Sequence, residues 1–383
     1  MLVARGALTA QRLSDALAIQ RAHGGRLGEI LVRRGWCDPR ALAQTAADQA
    51  GVALIDPEAA PIDPTLTDPA HIPRCVARRV APWRRIGGEV VLVAADADAA
   101  ERALREAGAP PGRYALAEPA ALARALAAAF AEPLAARASE RAPLAVSARA
   151  PMPAGQRAGF AVLALLIAAS FALAPAQAGA SLFLLLVGLN ALNAAARIAV
   201  LGFALRAPSD PELRRSPGVA TLSAARARPR ITLLIPLLRE PEAMPTLLEA
   251  LERIDWPRDL LDVKLILEHD DGATRAALER LGVPPFASVL VAPPGGPRTK
   301  PRALNFALDF AEGEIVGIYD AEDQPEPDQL TRVADILREA GPEVACVQCR
   351  LAYYNPRENW LTRCFTIEYA IWFDVLLRGF RHL

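Results

Sequence analysis

The sequence predicts a doubly wound α/β domain preceded by a two-helix apolar hairpin and a small, mainly α N-terminal domain. Three observations predict this. Apolar runs alternate with amphipathic stretches from Arg230 onward, no Asp, Glu, Lys or Arg occurs in the 39 residues between Arg157 and Arg197, and two stretches near the start match at an offset of 29 residues. The chain divides accordingly into an N-terminal domain (1–130), a linker (131–157), the hairpin (158–205), a juxtamembrane linker (206–229) and the α/β domain (230–383). Lys+Arg and Asp+Glu balance at 43 each, so there is no global basic signature of nucleic-acid binding. A hydrophobic content of 52% points instead to a membrane component. The five cysteines are too few and too scattered for a disulfide framework. Cys346 and Cys349 lie in the strand-like run "EVACVQCRL", where alternation puts them on opposite faces. The pair therefore reads as small buried hydrophobes in a reducing compartment and not as a metal or redox site.

In the repeat, "LVARGALTAQRLSDALAIQ" from Leu2 matches "LVRRGWCDPRALAQTAADQ" from Leu31, pairing Gly6 with Gly35, Leu13 with Leu42 and Gln20 with Gln49. Each copy reads as a short helix, a glycine stop and a second helix capped near Thr9 or Asp38. Arg26, Leu27 and Gly28 precede the second copy, and no counterpart precedes the first. The repeat and the later "IPRCVARRVAPWRRIGGEVVLVAAD" resemble the N-terminal domain of type II secretion and pilus ATPases over roughly residues 1–130. That resemblance implies a cyclic di-GMP site on Arg26, Leu27 and Gly28. A helical adaptor without ligand is the other reading, because half of the family's constellation is missing and Ala46 stands where the family has leucine. The Ala-, Arg- and Pro-rich stretch from Ala131 to Gly155 reads as linker.

The uncharged stretch is long enough for two crossings of about 20 residues each. "LAPAQAGA" breaks it, and Pro175 and Gly179 suit a turn, giving helices at 159–175 and 180–203. Arg149 and Arg157 precede the hairpin, Arg206, Arg214 and Arg215 follow it, and its loop is uncharged. The positive-inside bias therefore puts both flanking domains on the cytoplasmic side of a bacterial inner membrane.

Within the α/β domain, "RITLLIPLL", "VKLILEHDDG", "SVLVAPP" and "EIVGIYDAED" read as strands, with helices around 243–254 and over "KPRALNFALDFAEG". Ligands of such sheets lie at the carboxyl ends of the strands. Three strand ends carry acids: Glu240, Asp270 with Asp271, and Asp320, Glu322 and Asp323 in "IYDAEDQPEP". Converging carboxylates repel unless a cation sits among them, and hard oxygens suit Mg²⁺ or Mn²⁺. Lys300 opens a helix behind "GGPRTK", a pairing suited to phosphate. Metal, phosphate and acids together point to a nucleotide-diphosphate ligand.

These motifs resemble the inverting GT-A glycosyltransferases of family two, the membrane group that includes cellulose synthase and its exopolysaccharide relatives. "LLREP" is similar to the family's opening motif, with Arg239 in place of Asn. "EHDDGAT" is similar to its nucleobase- and ribose-binding aspartates. "KPRALNFAL" matches its diphosphate-side helix through Lys300 and Asn305, and "DAED" stands in the place of its Asp-x-Asp metal motif. The resemblance implies a UDP- or GDP-sugar donor, a polysaccharide acceptor and a divalent metal. It places the catalytic base and an acceptor motif beyond Leu383, so the chain is expected to be a fragment that binds donor without making polymer. Should the base lie within the chain, Glu368 and Asp374 are its first candidates. Two rival readings remain: a cyclic-dinucleotide-sensing scaffold with an inert transferase domain, and a metal-dependent phosphohydrolase. The aromatic segment from Trp360 to Phe373 reads as an interfacial helix.

Overall fold

The computed structural model describes residues 1–147, 149–206 and 228–380, which form two compact units. The first joins the N-terminal region up to Pro143 with the α/β sheet region through Arg338; the second holds the apolar hairpin and the segment after Glu339.

The first unit begins with α1 (Ala10–His23), α2 (Leu27–Arg33) and α3 (Pro39–Ala50). The expected caps form: the Arg12 amide donates to Thr9 Oγ1 at 3.3 Å, and the Ala41 amide donates to Asp38 Oδ2 at 2.8 Å. Gly6 and Gly35 both adopt left-handed φ, +70° and +66°, at equivalent points of the repeat. The first copy's opening helix is reduced to a single turn, in which the Arg5 amide donates to the Met1 carbonyl. Then come α4 (Ile72–Arg78), the antiparallel pair β1 (Val80–Ile86) and β2 (Glu89–Ala94), α5 (Ala97–Glu106), β3 (Tyr114–Leu116) parallel to β2, α6 (Pro119–Ala129) and α7 (Ala131–Glu140). Helix α7 corrects the expected linker. It is a folded helix that buries Leu134, Ala135 and Ala138.

The α/β region comprises β4 (Ile231–Leu237), α10 (Met244–Arg253), β5 (Leu261–Glu268), α11 (Gly272–Leu281), β6 (Ala287–Ala292), α12 (Lys300–Leu308), β7 (Ile315–Ile318) and α13 (Gln329–Glu339). All its strands are parallel, in the order β6-β5-β4-β7. The order reverses at β4, which places a crevice at the carboxyl ends of β4 and β7. One sheet face, with Leu233, Ile235, Val263 and Leu265, packs on α10, α11 and α13. On the other face, Leu234, Ile266 and Leu290 pack not only on Phe306 and Phe310 but also on Leu122, Leu126, Phe130 and Leu134 of α6 and α7. The N-terminal domain thus covers one face of the sheet within one continuous core.

A buried charge cluster reinforces this junction. Glu312 receives Arg33 at 2.6 Å, Arg230 at 2.7 Å and Lys264 at 3.7 Å, and also pairs with Arg79. Asp262, beside it, pairs with Lys264 at 2.8 Å and accepts from Thr232 Oγ1 at 2.9 Å. Burial opposes ionisation of Glu312, but the four cations outweigh it and hold its carboxyl well below the ordinary glutamate range.

In the second unit, α8 (Ala154–Leu173) and α9 (Pro175–Arg206) are long and apolar enough to cross a membrane. Pro175 starts α9 instead of lying in a loop, and Gly179 is helical; the break is the single non-helical residue Ala174. Proline fits there because the first helical position needs no amide donor. Arg214 and Arg215, with most of the expected juxtamembrane linker, lie outside the described residues. The segment 345–351 is not a strand, contrary to expectation. Cys346 is exposed and Cys349 half-buried, so the pair is not buried as expected. The chain continues through α14 (Trp360–Ala370), a π-helical stretch Ile371–Leu376 and α15 (Leu377–Phe380). Tyr353 stacks on Phe365 and meets Tyr369 edge-on, and Asp374 pairs with Arg350 at 2.8 Å.

Candidate donor site at the strand ends

The expected acids follow the strands, and several lie near enough to bear on one another's ionisation. Glu240 follows β4, its carboxyl raised by desolvation and by the neighbouring charges of Glu322, Asp320 and Asp271. Asp323 follows β7, raised by desolvation and by Asp320 and Glu322, against the Asp320 amide and Lys300, which act the other way. Three separate strand ends therefore feel one another's charge, the condition that invites a cation.

Several of these residues have partners within the protein. Asp271 is buried, and both of its oxygens are engaged: the Arg239 amide donates to Oδ2 at 2.6 Å and the Thr274 amide to Oδ1 at 3.1 Å. Despite desolvation, these donors hold its carboxyl below the ordinary range. It caps α11 and ties the end of β4. Arg239 sits at φ +58°, a left-handed conformation that asparagine tolerates better than arginine. Asp270 is exposed and pairs with Arg298 at 2.7 Å, which lowers its carboxyl against the cost of desolvation. Lys300, at the first turn of α12, pairs with Asp320. Asn305 turns away from the crevice and donates to the Ala138 carbonyl of α7 at 3.0 Å.

The expected trio of metal ligands is not assembled. Among the described residues, no three His, Cys, Asp or Glu side chains come close enough together to hold a metal ion. The physical reason is local. Asp323 Oδ2 accepts from the Asp320 amide at 2.8 Å and so closes the turn after β7, while Asp320 is drawn to Lys300. The donor set still suits a hard divalent cation, with Asp320 and Glu322 as the side chains free of structural duty in the turn. Two residues escaped sequence reasoning. Arg298 was visible within "GGPRTK" as a second cation at the same loop. Arg302 is buried, reaches the Pro293 carbonyl and lies 3.7 Å from Glu268; nothing local in the sequence marks that it holds the loop.

Arg26, Leu27 and Gly28 line a cavity of about 1320 Å³ that Arg33, Arg79 and Lys264 also line. Arg26 pairs there with Asp96. The motif therefore faces a space shared by the N-terminal domain and the amino-terminal end of β5, opposite the carboxylate crevice.

Residues 232–381 match the family model of glycosyl transferase family 2, and residues 50–136 match that of the MshEN domain. Beta-monoglucosyldiacylglycerol synthase of Synechocystis sp. is 28% identical over 144 residues, covering 37% of this chain and 30% of that protein. The type IV pilus assembly ATPase PilB of Thermus thermophilus is 43% identical over 79 residues, covering 20% of this chain and 9% of that protein. Among solved structures, the mannosyltransferase PcManGT from Pyrobaculum calidifontis, in complex with GDP-Man and Mn²⁺, is 28% identical with a TM-score of 0.35, covering 46% of this chain and 48% of that one. MshE with cdg is 22% identical with a TM-score of 0.30, covering 34% of this chain and 95% of that one. The chain thus spans less than a third of either curated relative's length. It carries a family 2 glycosyltransferase domain and, before it, an MshEN domain.

Proposed function

We propose that this chain is a membrane-bound glycosyltransferase that takes a sugar from a UDP- or GDP-sugar. What supports the reading is the set of acids that follow three strands at the carboxyl edge of the sheet, Glu240, Asp270 and Asp320 with Glu322, together with two cations of one loop and helix start, Lys300 paired with Asp320 and Arg298 with Asp270. In this reading Lys300 leaves Asp320 and, with Arg298 and the start of α12, receives the donor diphosphate. Asp320 and Glu322 would hold Mg²⁺ or Mn²⁺, which when bound would neutralise the departing diphosphate. Asp270 and the tied Asp271 would line the nucleoside end. Isothermal titration of the chain with UDP and GDP, with and without Mn²⁺, should show binding that requires the metal. Equal, negligible heats under every condition would remove the donor assignment.

A growing polysaccharide is the acceptor in this reading. A membrane lipid, converted to a glycolipid, is the acceptor in the second reading, favoured by the name of the Synechocystis relative. Radiolabelled donor incubated with membranes carrying the chain separates them, since label retained as polymer supports the first and solvent-extractable lipid the second. The cavity at Arg26, Leu27 and Gly28 is the proposed site for cyclic di-GMP.

In this reading both flanks of the hairpin lie on the cytoplasmic side of a bacterial inner membrane, a placement supported by the arginines at 149, 157 and 206. A cysteine introduced at Gln177 should be labelled from the periplasm, and one introduced at Ser14 only after permeabilisation. Labelling of both from one side would contradict the hairpin.

A further inference from the structure

Helix α7 lies against the loop that carries both cations of the donor site. Ala135 Cβ is 3.8 Å from where a Cβ on Gly295 would stand, and Ser139 Oγ is 2.6 Å from where one on Gly296 would stand. Gly296 adopts φ +61°, so its backbone approaches α7 in a conformation and at a distance that a side chain would obstruct. Below the loop, Arg302 reaches the Pro293 carbonyl. The helix that follows is fastened to α7 at three further points: Asn305 Nδ2 donates to the Ala138 carbonyl at 3.0 Å, Arg141 Nη1 donates to the Asn305 carbonyl at 3.2 Å, and Asp309 takes Arg141 at 2.8 Å and Arg137 at 3.1 Å. Asp309's carboxylate is only 6% exposed, so these pairs are shielded from solvent on its side. Phe130 and Leu134 add apolar contact through the shared core with Phe306.

We propose that α7 is a positioning element of the transferase: it fixes the loop 295–299 and the start of α12, so that Arg298 and Lys300 face the strand-end acids. The loop has two glycines, is exposed along its length and carries no strand or helix of its own. Without a brace its conformational freedom would have to be lost on each donor binding, at an entropic cost that α7 has already met. Arg141 is the principal positioning residue, because it alone joins α7 to both the backbone of α12 and Asp309. The inference rests on the donor reading above only for its consequence, and the brace itself is independently measurable.

The test uses the full chain in detergent or nanodiscs. Arg141→Ala should raise hydrogen exchange across 293–300 and weaken Mn²⁺-dependent UDP or GDP binding about five- to tenfold. The melting temperature should move little, because Arg137 still pairs with Asp309. Arg141→Lys should restore much of the affinity. Ser139→Leu, which enlarges a half-buried side chain against Gly296, should act in the same direction and serves if Arg141→Ala fails to fold. Unchanged loop exchange in the variants, or a loss of affinity that follows a general loss of stability and exchange protection throughout the domain, overturns the proposal. Wild-type protein that binds no nucleotide diphosphate would defeat the donor reading, while the loop-exchange comparison would still decide the brace.

Discussion

Glu312→Gln should destabilise the first unit by about 3–5 kcal/mol, the usual cost of removing one partner from a buried charge cluster. The substitution keeps the side chain's size and removes its charge. Arg33, Arg79, Arg230 and Lys264 then face one another, with Asp262 and the half-exposed Glu29 as the remaining acids paired with them among the described residues. Lys264 is 4% exposed and Arg33's side chain 10%, so water screens their repulsion poorly. Urea unfolding at pH 7 measures the cost. A change below about 1 kcal/mol would place Glu312 among ordinary surface pairs and refute the buried-cluster account. The pH dependence has a definite sign. Glu312's folded value lies below its ordinary 4.5, so its contribution is complete above that value and is lost as pH falls through the acid range. The wild type should therefore lose stability on acidification more steeply than Glu312→Gln.

That cluster also marks where sequence reasoning stops. Local rules found what is local: the caps at Thr9 and Asp38, the glycine stops, the strand–helix alternation and the acids at three strand ends. They missed α7 because "AEPLAARASE" is alanine-rich, and alanine does not distinguish a buried face from an exposed one. Its partners lie about 170 residues away, past the hairpin. The same distance hid the junction, since Arg33 and Glu312 are 279 residues apart and each reads alone as a surface charge. Asp271 and Asn305 were assigned to ligand by motif position. The structure shows Asp271 tied to backbone amides and Asn305 to a carbonyl of another domain, contacts to which a one-dimensional pattern is blind. Conversely, strand-like "EVACVQCRL" has the right alternation but no neighbouring ladder, and an unpaired run cannot satisfy its backbone as a strand.

Asp320→Asn should weaken Mn²⁺-dependent binding of UDP or GDP tenfold or more, on the order of 1.4 kcal/mol. Asparagine preserves the turn, because the Asp320 amide that donates to Asp323 belongs to the backbone. What goes is the negative charge that Lys300 holds in the free protein and that a hard cation would take when the donor arrives. Removing it also changes the pH profile. Desolvation and neighbouring charge raise Glu240 and Asp323, and Asp320 is one of the charges that raise both. Protonating either one removes negative charge that attracts a cation held by Asp320 and Glu322. Wild-type affinity should therefore fall as pH drops through the raised carboxyl range, at a higher pH than isolated carboxylates would give. In Asp320→Asn the residual binding should hold to a lower pH, because Glu240 and Asp323 lose a repelling neighbour. Titration across pH 4–8 in both proteins reads the two effects together. Equal affinity at neutral pH would remove Asp320 from the metal site, and an unshifted acid limb would show that its charge does not reach Glu240 and Asp323.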